Sequence, residues 1–307
     1  MNFNFFKVFI LLILFSGCKE KSNVNFNNLF SKIDSASSGV NFSNDLVDSS
    51  DMNIVEYLYF YNGGGVALGD INNDGLDDIY LTANQKPDQL YLNLGDLKFK
   101  NISNNLGVEN QSSWSTGVSM ADVNGDGWLD IYVSKVGKFK TLDSRNLLYI
   151  NQRDGTFIES SKKFGIDFSG FSTQAAFFDY DRDGDLDMYL LNHNIHTPRN
   201  YTDSSKRFQK DSLAGDKFFE NRLNDKEGRF IDVTADVGIF SSFLGYGLAI
   251  TTADINKDGW IDIYVGNDFH ENDYVYINQK NKTFKELGLE YLSNNSRFTM
   301  GVDIADM

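Results

Sequence analysis

A chain of 307 residues with 41% hydrophobic and 14% aromatic content can bury a large core, which excludes disorder as its main state. Its formal net charge of −15, with no basic cluster to offset it, disfavours a nucleic-acid backbone or an anionic membrane surface as partner. The single cysteine, Cys18, excludes a disulfide framework, so the core must be held by packing and by whatever the acidic residues bind.

The chain opens with Met1-Asn-Phe-Asn-Phe-Phe-Lys7 and an apolar run from Val8 to Phe15, too short to span a bilayer comfortably. It closes as Leu14-Phe-Ser-Gly-Cys18, which resembles a bacterial lipoprotein signal, with Phe15 where such signals usually carry leucine. Residues 1–17 are expected to be a signal peptide, Cys18 the lipidated residue and 18–25 a polar tether. The alternatives are an ordinary cleaved signal or an uncleaved anchor. The expected location is that of an exported outer-membrane lipoprotein, facing the periplasm or the cell surface and held to the membrane by its lipid.

Residues 26–307 form the repeat region, with 26–52 as a lead-in and blades over 53–307. Phe30-Ser-Lys-Ile33 and Gly39-Val-Asn-Phe-Ser43 match the outer strand and exit of the later units; compare Gly165-Ile-Asp-Phe-Ser169. The stretch from Phe26 to Ser43 is therefore expected to be an outer strand that closes a ring; the other reading is a solvated linker.

The nonapeptide Asp70-Ile-Asn-Asn-Asp-Gly-Leu-Asp-Asp78 recurs three times in full. The copies are Asp122-Val-Asn-Gly-Asp-Gly-Trp-Leu-Asp130, Asp179-Tyr-Asp-Arg-Asp-Gly-Asp-Leu-Asp187 and Asp254-Ile-Asn-Lys-Asp-Gly-Trp-Ile-Asp262. A further copy opens at Asp306. Oxygens at positions 1, 3, 5 and 9, with the carbonyl of position 7, make a cage suited to a hard cation such as Ca²⁺. The expected ligands are Asp70, Asn72, Asp74, Leu76 and Asp78 in the first loop, and Asp122, Asn124, Asp126, Trp128 and Asp130 in the second. The third offers Asp179, Asp181, Asp183, Asp185 and Asp187, and the fourth Asp254, Asn256, Asp258, Trp260 and Asp262. One Ca²⁺ per complete loop is expected, bound most tightly in the acid-rich third. Two carboxylates about 4 Å apart repel by roughly 4 kcal/mol at an effective dielectric near 20, so an acidic turn without a counter-charge is the weaker reading. Position 12 is Leu81, Val133, Leu190 or Val265 rather than the glutamate of an EF-hand, so each loop feeds a strand. Four bound calcium ions would bring the net charge to about −7.

The loop starts lie about 50 to 60 residues apart, with one interval of about 75, a period of propeller blades. Each unit has a small-residue strand before the loop (Gly65–Gly69, Gly117–Ala121, Ala175–Phe178, Ala249–Ala253) and a second strand opening at the ninth loop residue. A third strand ends in Asn93, Asn151, Asn221 or Asn278, and a hairpin leads to an outer strand at Phe99, Phe157, Phe230 or Phe284. The fold is expected to be all-β, a β-propeller of about four blades plus the start of another, in an incomplete ring.

These motifs, with Tyr59-Phe-Tyr-Asn-Gly-Gly-Gly-Val66, resemble the FG-GAP/VCBS blades also found in integrin α-subunit propellers. The fuller arrangement is similar to bacterial lipoproteins related to the cartilage acidic protein (ASPIC/UnbV) family. The resemblance implies structural calcium and a surface used for recognition.

Irregular segments gather on the face opposite the acidic loops and supply Trp114, His193, His196, Asp268, His270 and Glu271 as a possible ligand face. Trp128 and Trp260 are expected to pack between blades. No G-x-S-x-G elbow, His-Glu-x-x-His motif or cysteine nucleophile is present. The leading expectation is a non-enzymatic, calcium-stabilised binding or scaffold module that recognises an envelope protein or a polysaccharide. The alternative is a propeller-based lyase or glycosidase using His193, His196 and His270.

Overall fold

In a computed structural model of the chain, residues 30–107, 113–195 and 204–305 are described. The expected signal segment, Cys18 and the expected tether lie outside them. No helix among the described residues is long and apolar enough to cross a membrane.

Among the described residues, sixteen strands form four antiparallel sheets of four, each a meander in chain order. The first is β1 (Val66–Gly69), β2 (Asp78–Leu81), β3 (Gln89–Asn93) and β4 (Phe99–Asn101). The second is β5 (Trp114–Ala121), β6 (Asp130–Val136), β7 (Leu147–Asn151) and β8 (Phe157–Glu159). The third is β9 (Ser172–Phe178), β10 (Asp187–Asn192), β11 (Lys217–Glu220) and β12 (Ile231–Asp232). The fourth is β13 (Gly247–Ala253), β14 (Asp262–Asn267), β15 (Tyr274–Asn278) and β16 (Phe284–Glu286). The register is the same at every acidic loop: Gly69 faces Asp78, Ala121 faces Asp130, Phe178 faces Asp187 and Ala253 faces Asp262. Each nonapeptide is thus a hairpin between an inner strand and the next, with its ninth residue already in the sheet.

The inner strands β1, β5, β9 and β13 pack side by side in sequence, and their small residues follow from that crowding. A Cβ at Gly117 would lie 2.3 Å from the Thr173 carbonyl oxygen, and one at Gly247 would lie 2.3 Å from Leu191 Cδ1. Between sheets the seam is apolar and aromatic. Ile71, Tyr80 and Leu90 meet Ile131 and Tyr149; Tyr132 and Leu148 meet Met188 and Phe219; Tyr189 and Phe218 meet Ile263 and Tyr276. Burying such side chains is worth about 1.5–3 kcal/mol each, which makes these seams the main source of cohesion.

Two features depart from the simple repeat. β5, β9 and β13 run further toward their N-termini than the small-residue segments alone suggest, past register shifts at Ser115/Val118, Leu191/Asn192 and Gly247/Ala249. Such bulges turn a strand end away from its sheet, here at the end opposite the acidic loops. The expected ring-closing outer strand does not form among the described residues of 30–43. Instead Ser35–Ser38 is a single helical turn (α1) ending at Gly39, whose φ is +78°. A Cβ on Gly39 would lie 2.4 Å from the Phe99 carbonyl oxygen. Thr234–Val237 (α2) and Gly238 meet the Phe284 carbonyl in the same way, at 2.5 Å. The segment from Ser35 therefore occupies, on the first sheet, the place that an exit turn occupies on the next sheet elsewhere.

Candidate metal loops and the opposite cavity

The four acidic loops share one backbone trap. The first aspartate accepts the N–H groups of positions 5 and 6: Asp70 from Asp74 (3.1 Å) and Gly75 (2.7 Å), Asp122 from Asp126 (2.9 Å) and Gly127 (2.7 Å). Asp179 and Asp254 repeat the pattern. Closing so tight a turn requires positive φ at position 6, and Gly75, Gly127, Gly184 and Gly259 lie between 86° and 96°. The position-7 N–H groups of Leu76, Trp128, Asp185 and Trp260 donate to the position-5 carboxylates of Asp74, Asp126, Asp183 and Asp258.

The ninth residue ties the loop to the sheet. Asp78 accepts N–H from Ile71 (3.0 Å) and Asn93 (2.7 Å); Asp130, Asp187 and Asp262 accept from the equivalent pairs. All four are at most 1% exposed. Burial raises their carboxyl pKa, to about 7 for Asp130 and about 8 for Asp187. Asp185 is pushed up to about 6, first by burial and then by Asp183. In the third loop, oxygens of Asp179, Asp181 and Asp187 lie within 4.8 Å of one another, and Asp185 Oδ1 is buried without a hydrogen-bond partner. In the other loops position 3 is Asn72, Asn124 or Asn256, whose amide oxygen accepts the position-5 N–H at 3.0–3.1 Å. This is an all-oxygen, acid-rich donor set with too little positive charge around it, and it fits a hard divalent cation.

Basic side chains supply part of the counter-charge. Arg153 lies 3.0 Å from Asp126, Lys280 lies 3.2 Å from Asp258, and Lys282 bridges Asp181 (2.5 Å) and Glu220 (2.9 Å). The loops also touch one another. Asn73 donates to the Gly127 carbonyl at 3.1 Å, and Arg182 donates to the Gly259 carbonyl while its guanidinium lies 4.8 Å from the Trp260 ring centre. Trp260 thus packs against the preceding blade, as expected.

Two repeated contacts escaped sequence reading. Asn151, Asn221 and Asn278, at the ends of third strands, each donate Nδ2 to the second-residue carbonyl of the preceding blade's acidic loop: Ile71, Val123 and Tyr180, at 2.7, 3.2 and 2.8 Å. Each also bonds its own loop, so one amide rivets two blades. At the other end, Asp88, Asp216 and Asp273 accept both a backbone N–H at or just past the end of the second strand and the hydroxyl of the repeated tyrosine, Tyr80, Tyr189 or Tyr264. In the second sheet Asn146 takes this place with one bond reversed: its Oδ1 accepts the Lys135 N–H and its Nδ2 donates to the Tyr132 hydroxyl. The signal was present as an Asp or Asn just before each third strand.

The possible ligand face is not a surface cluster. Trp114 is 2% exposed and packs edge-on against Tyr57, with ring centres 5.5 Å apart. His193 is also 2% exposed; its Nε2 pairs with the Tyr57 hydroxyl at 2.8 Å and its Nδ1 with Thr173 Oγ1 at 3.0 Å. Burial pulls its pKa down to about 3, so it is neutral. Asp268 is buried beside the Tyr59 hydroxyl, and Glu271 is buried against Arg207. His270 is exposed, and His196 lies outside the described residues. The aromatic lead-in 52–60 explains this outcome: it fills the space between strand ends that periodicity leaves blank. Beside it a cavity of about 530 Å³ opens at the N-terminal ends of the inner strands, opposite the acidic loops.

Consecutive four-stranded meanders with an aspartate hairpin at the end of every inner strand define a repeat-built β-propeller. The FG-GAP-like repeat profile matches residues 70–133, 139–190 and 254–307, and the chain belongs to that family. It is 39% identical over 72 residues to Cartilage acidic protein 1 of Xenopus tropicalis, a match covering 23% of this chain and 11% of that protein. Among solved structures it is similar to an Agrocybe aegerita lectin described as specifically recognising non-reducing terminal N-acetylglucosamine (TM-score 0.41, 22% identity, 72% of this chain and 50% of the lectin). It is also similar to the Photorhabdus luminescens Tc holotoxin pore (TM-score 0.33, 18% identity, 72% of this chain and 9% of that one).

Proposed function

We propose that this chain is a non-enzymatic binding module whose blades are locked by calcium, carried by a lipoprotein anchored through Cys18 at the bacterial envelope. The observation that carries the calcium reading is the third loop. Three carboxylates converge there within 4.8 Å, and the neighbouring Asp185 Oδ1 has no partner. Asp179, Asp181, Asp183, Asp187 and the Asp185 carbonyl would hold the ion, with the corresponding residues doing so in the other loops. Calcium supplies positive charge to these crowded carboxylates beyond what Lys282 gives Asp181. It serves structure, because the ligands at position 9 are the residues that join each loop to its third strand. The outward-facing work is recognition of an envelope protein or a polysaccharide. The dispersal of His193, Asp268, His270 and Glu271 into separate environments supports binding over catalysis.

The test is thermal unfolding with calcium and with EGTA, beside calorimetric titration of the metal-free protein. At calcium 100-fold above Kd, each site adds about 2.7 kcal/mol, so chelation should lower Tm by many degrees. A Tm indifferent to EGTA, with no heat of calcium binding, overturns the reading.

A further inference from the structure

We propose that the cavity at the N-terminal ends of the inner strands is the recognition site, and that its ligand is an uncharged, hydroxyl-rich molecule, a neutral saccharide. This rests on the binding-module reading and commits it to one place and one ligand class. The cavity's size falls within the range of small-molecule sites.

Its wall is the argument. No described lining residue is an Asp, Glu, Lys or Arg; the ionisable ones are three tyrosines and His193. Both nitrogens of His193 are engaged by hydroxyls, and its burial keeps it uncharged. An anion entering a protein of net charge −15 would find no cation among the described lining residues, and the nearby carboxylates of Asp48 and Asp268 are already engaged by the Tyr61 and Tyr59 hydroxyls. An uncharged ligand meets neither obstacle.

The lip supplies what a sugar needs. Tyr61 is 59% exposed, with its hydroxyl 3.1 Å from Asp48 and its ring edge-on to Phe60, so it offers an apolar aromatic face. Asn62 beside it is exposed. Inside, Gln174 spends its amide N–H groups on Val118 and Ser119, and its Oε1 faces the cavity-lining Gly117. Amides and an aromatic platform together match a ring with one apolar face and equatorial hydroxyls, whereas a wholly apolar ligand would strand the amides. Gly301 also lines the cavity and leaves open space beside it: a Cβ there would meet nothing within 4 Å.

The experiment uses the full chain in saturating calcium. Neutral gluco-, manno- and xylo-oligosaccharides are arrayed beside uronate- and sulfate-bearing ones, and hits are titrated calorimetrically. Gly301→Phe should fill the cavity and abolish binding, and Tyr61→Ala should weaken it about tenfold, while Tm with calcium is unchanged in both. Binding confined to charged saccharides, binding of neutral ones untouched by both variants, or no saccharide binding at all overturns the proposal. Capture of an envelope protein, undiminished by Gly301→Phe, would overturn it too and leave the binding-module reading standing. A Tm insensitive to EGTA would strike only the calcium reading.

Discussion

Asn278→Ala tests whether blades are held to one another by single amides as well as by apolar seams. The side chain is 2% exposed. It donates to the Tyr180 carbonyl of the preceding blade (2.8 Å) and to the Ile261 carbonyl of its own (3.3 Å), and it accepts the Lys280 N–H (2.8 Å). At about 1 kcal/mol net per bond, truncation should cost about 3 kcal/mol, and more if the buried Tyr180 carbonyl finds no water. Asn93 is the internal control. It bonds the Asp77 carbonyl (2.8 Å) and the Gly95 N–H (3.0 Å), both within its own blade, and it is half-buried. Asn93→Ala should therefore cost about 1–2 kcal/mol. Urea unfolding at fixed calcium measures both, with the slope of the transition checked for equality before midpoints are compared. Equal costs for the two variants, or less than about 1 kcal/mol for Asn278→Ala, would refute the rivet.

Gly238→Ala should destabilise by more than about 1 kcal/mol, because the residue sits at φ +85° and a Cβ would press 2.5 Å from the Phe284 carbonyl oxygen; chemical denaturation reads this directly. His193 gives a pH test. Its folded pKa of about 3 lies below the ordinary 6.5, so the unfolded chain binds the proton first. The stability it contributes is complete above pH 6.5 and falls by up to about 1.4 kcal/mol per pH unit on descent toward 3. In calcium-saturated unfolding curves at pH 7 and pH 5, wild type should lose more stability than His193→Gln. A gap between the two that does not change with pH would show that the imidazole is not held neutral in the fold.

The strand boundaries were legible because a short repeat carries its own checks. Where four copies place Asp, Gly and Asp at the same offsets before an aliphatic-Tyr pair, the hairpin and its register follow, and the third and outer strands close the unit at Asn and Phe. Each unit's shape depends on local turns and on a two-residue alternation, both properties of neighbours along the chain. The ligand face misled for the opposite reason. Trp114, His193 and Asp268 look exposed when assigned to loops, but the aromatic segment 52–60, far away in sequence, packs over them.

The amino-acid order alone thus determined the blade: its strands, its acidic hairpins and the chemistry those hairpins offer a hard cation. The contacts between blades were decided only in three dimensions. Asn151 reaching the Ile71 carbonyl, Lys282 spanning Asp181 and Glu220, and the uncharged cavity at the inner-strand ends each join residues from different blades. No periodicity encodes such pairings, because they depend on how one twisted sheet settles against the next, and that is fixed by the packing of the whole seam.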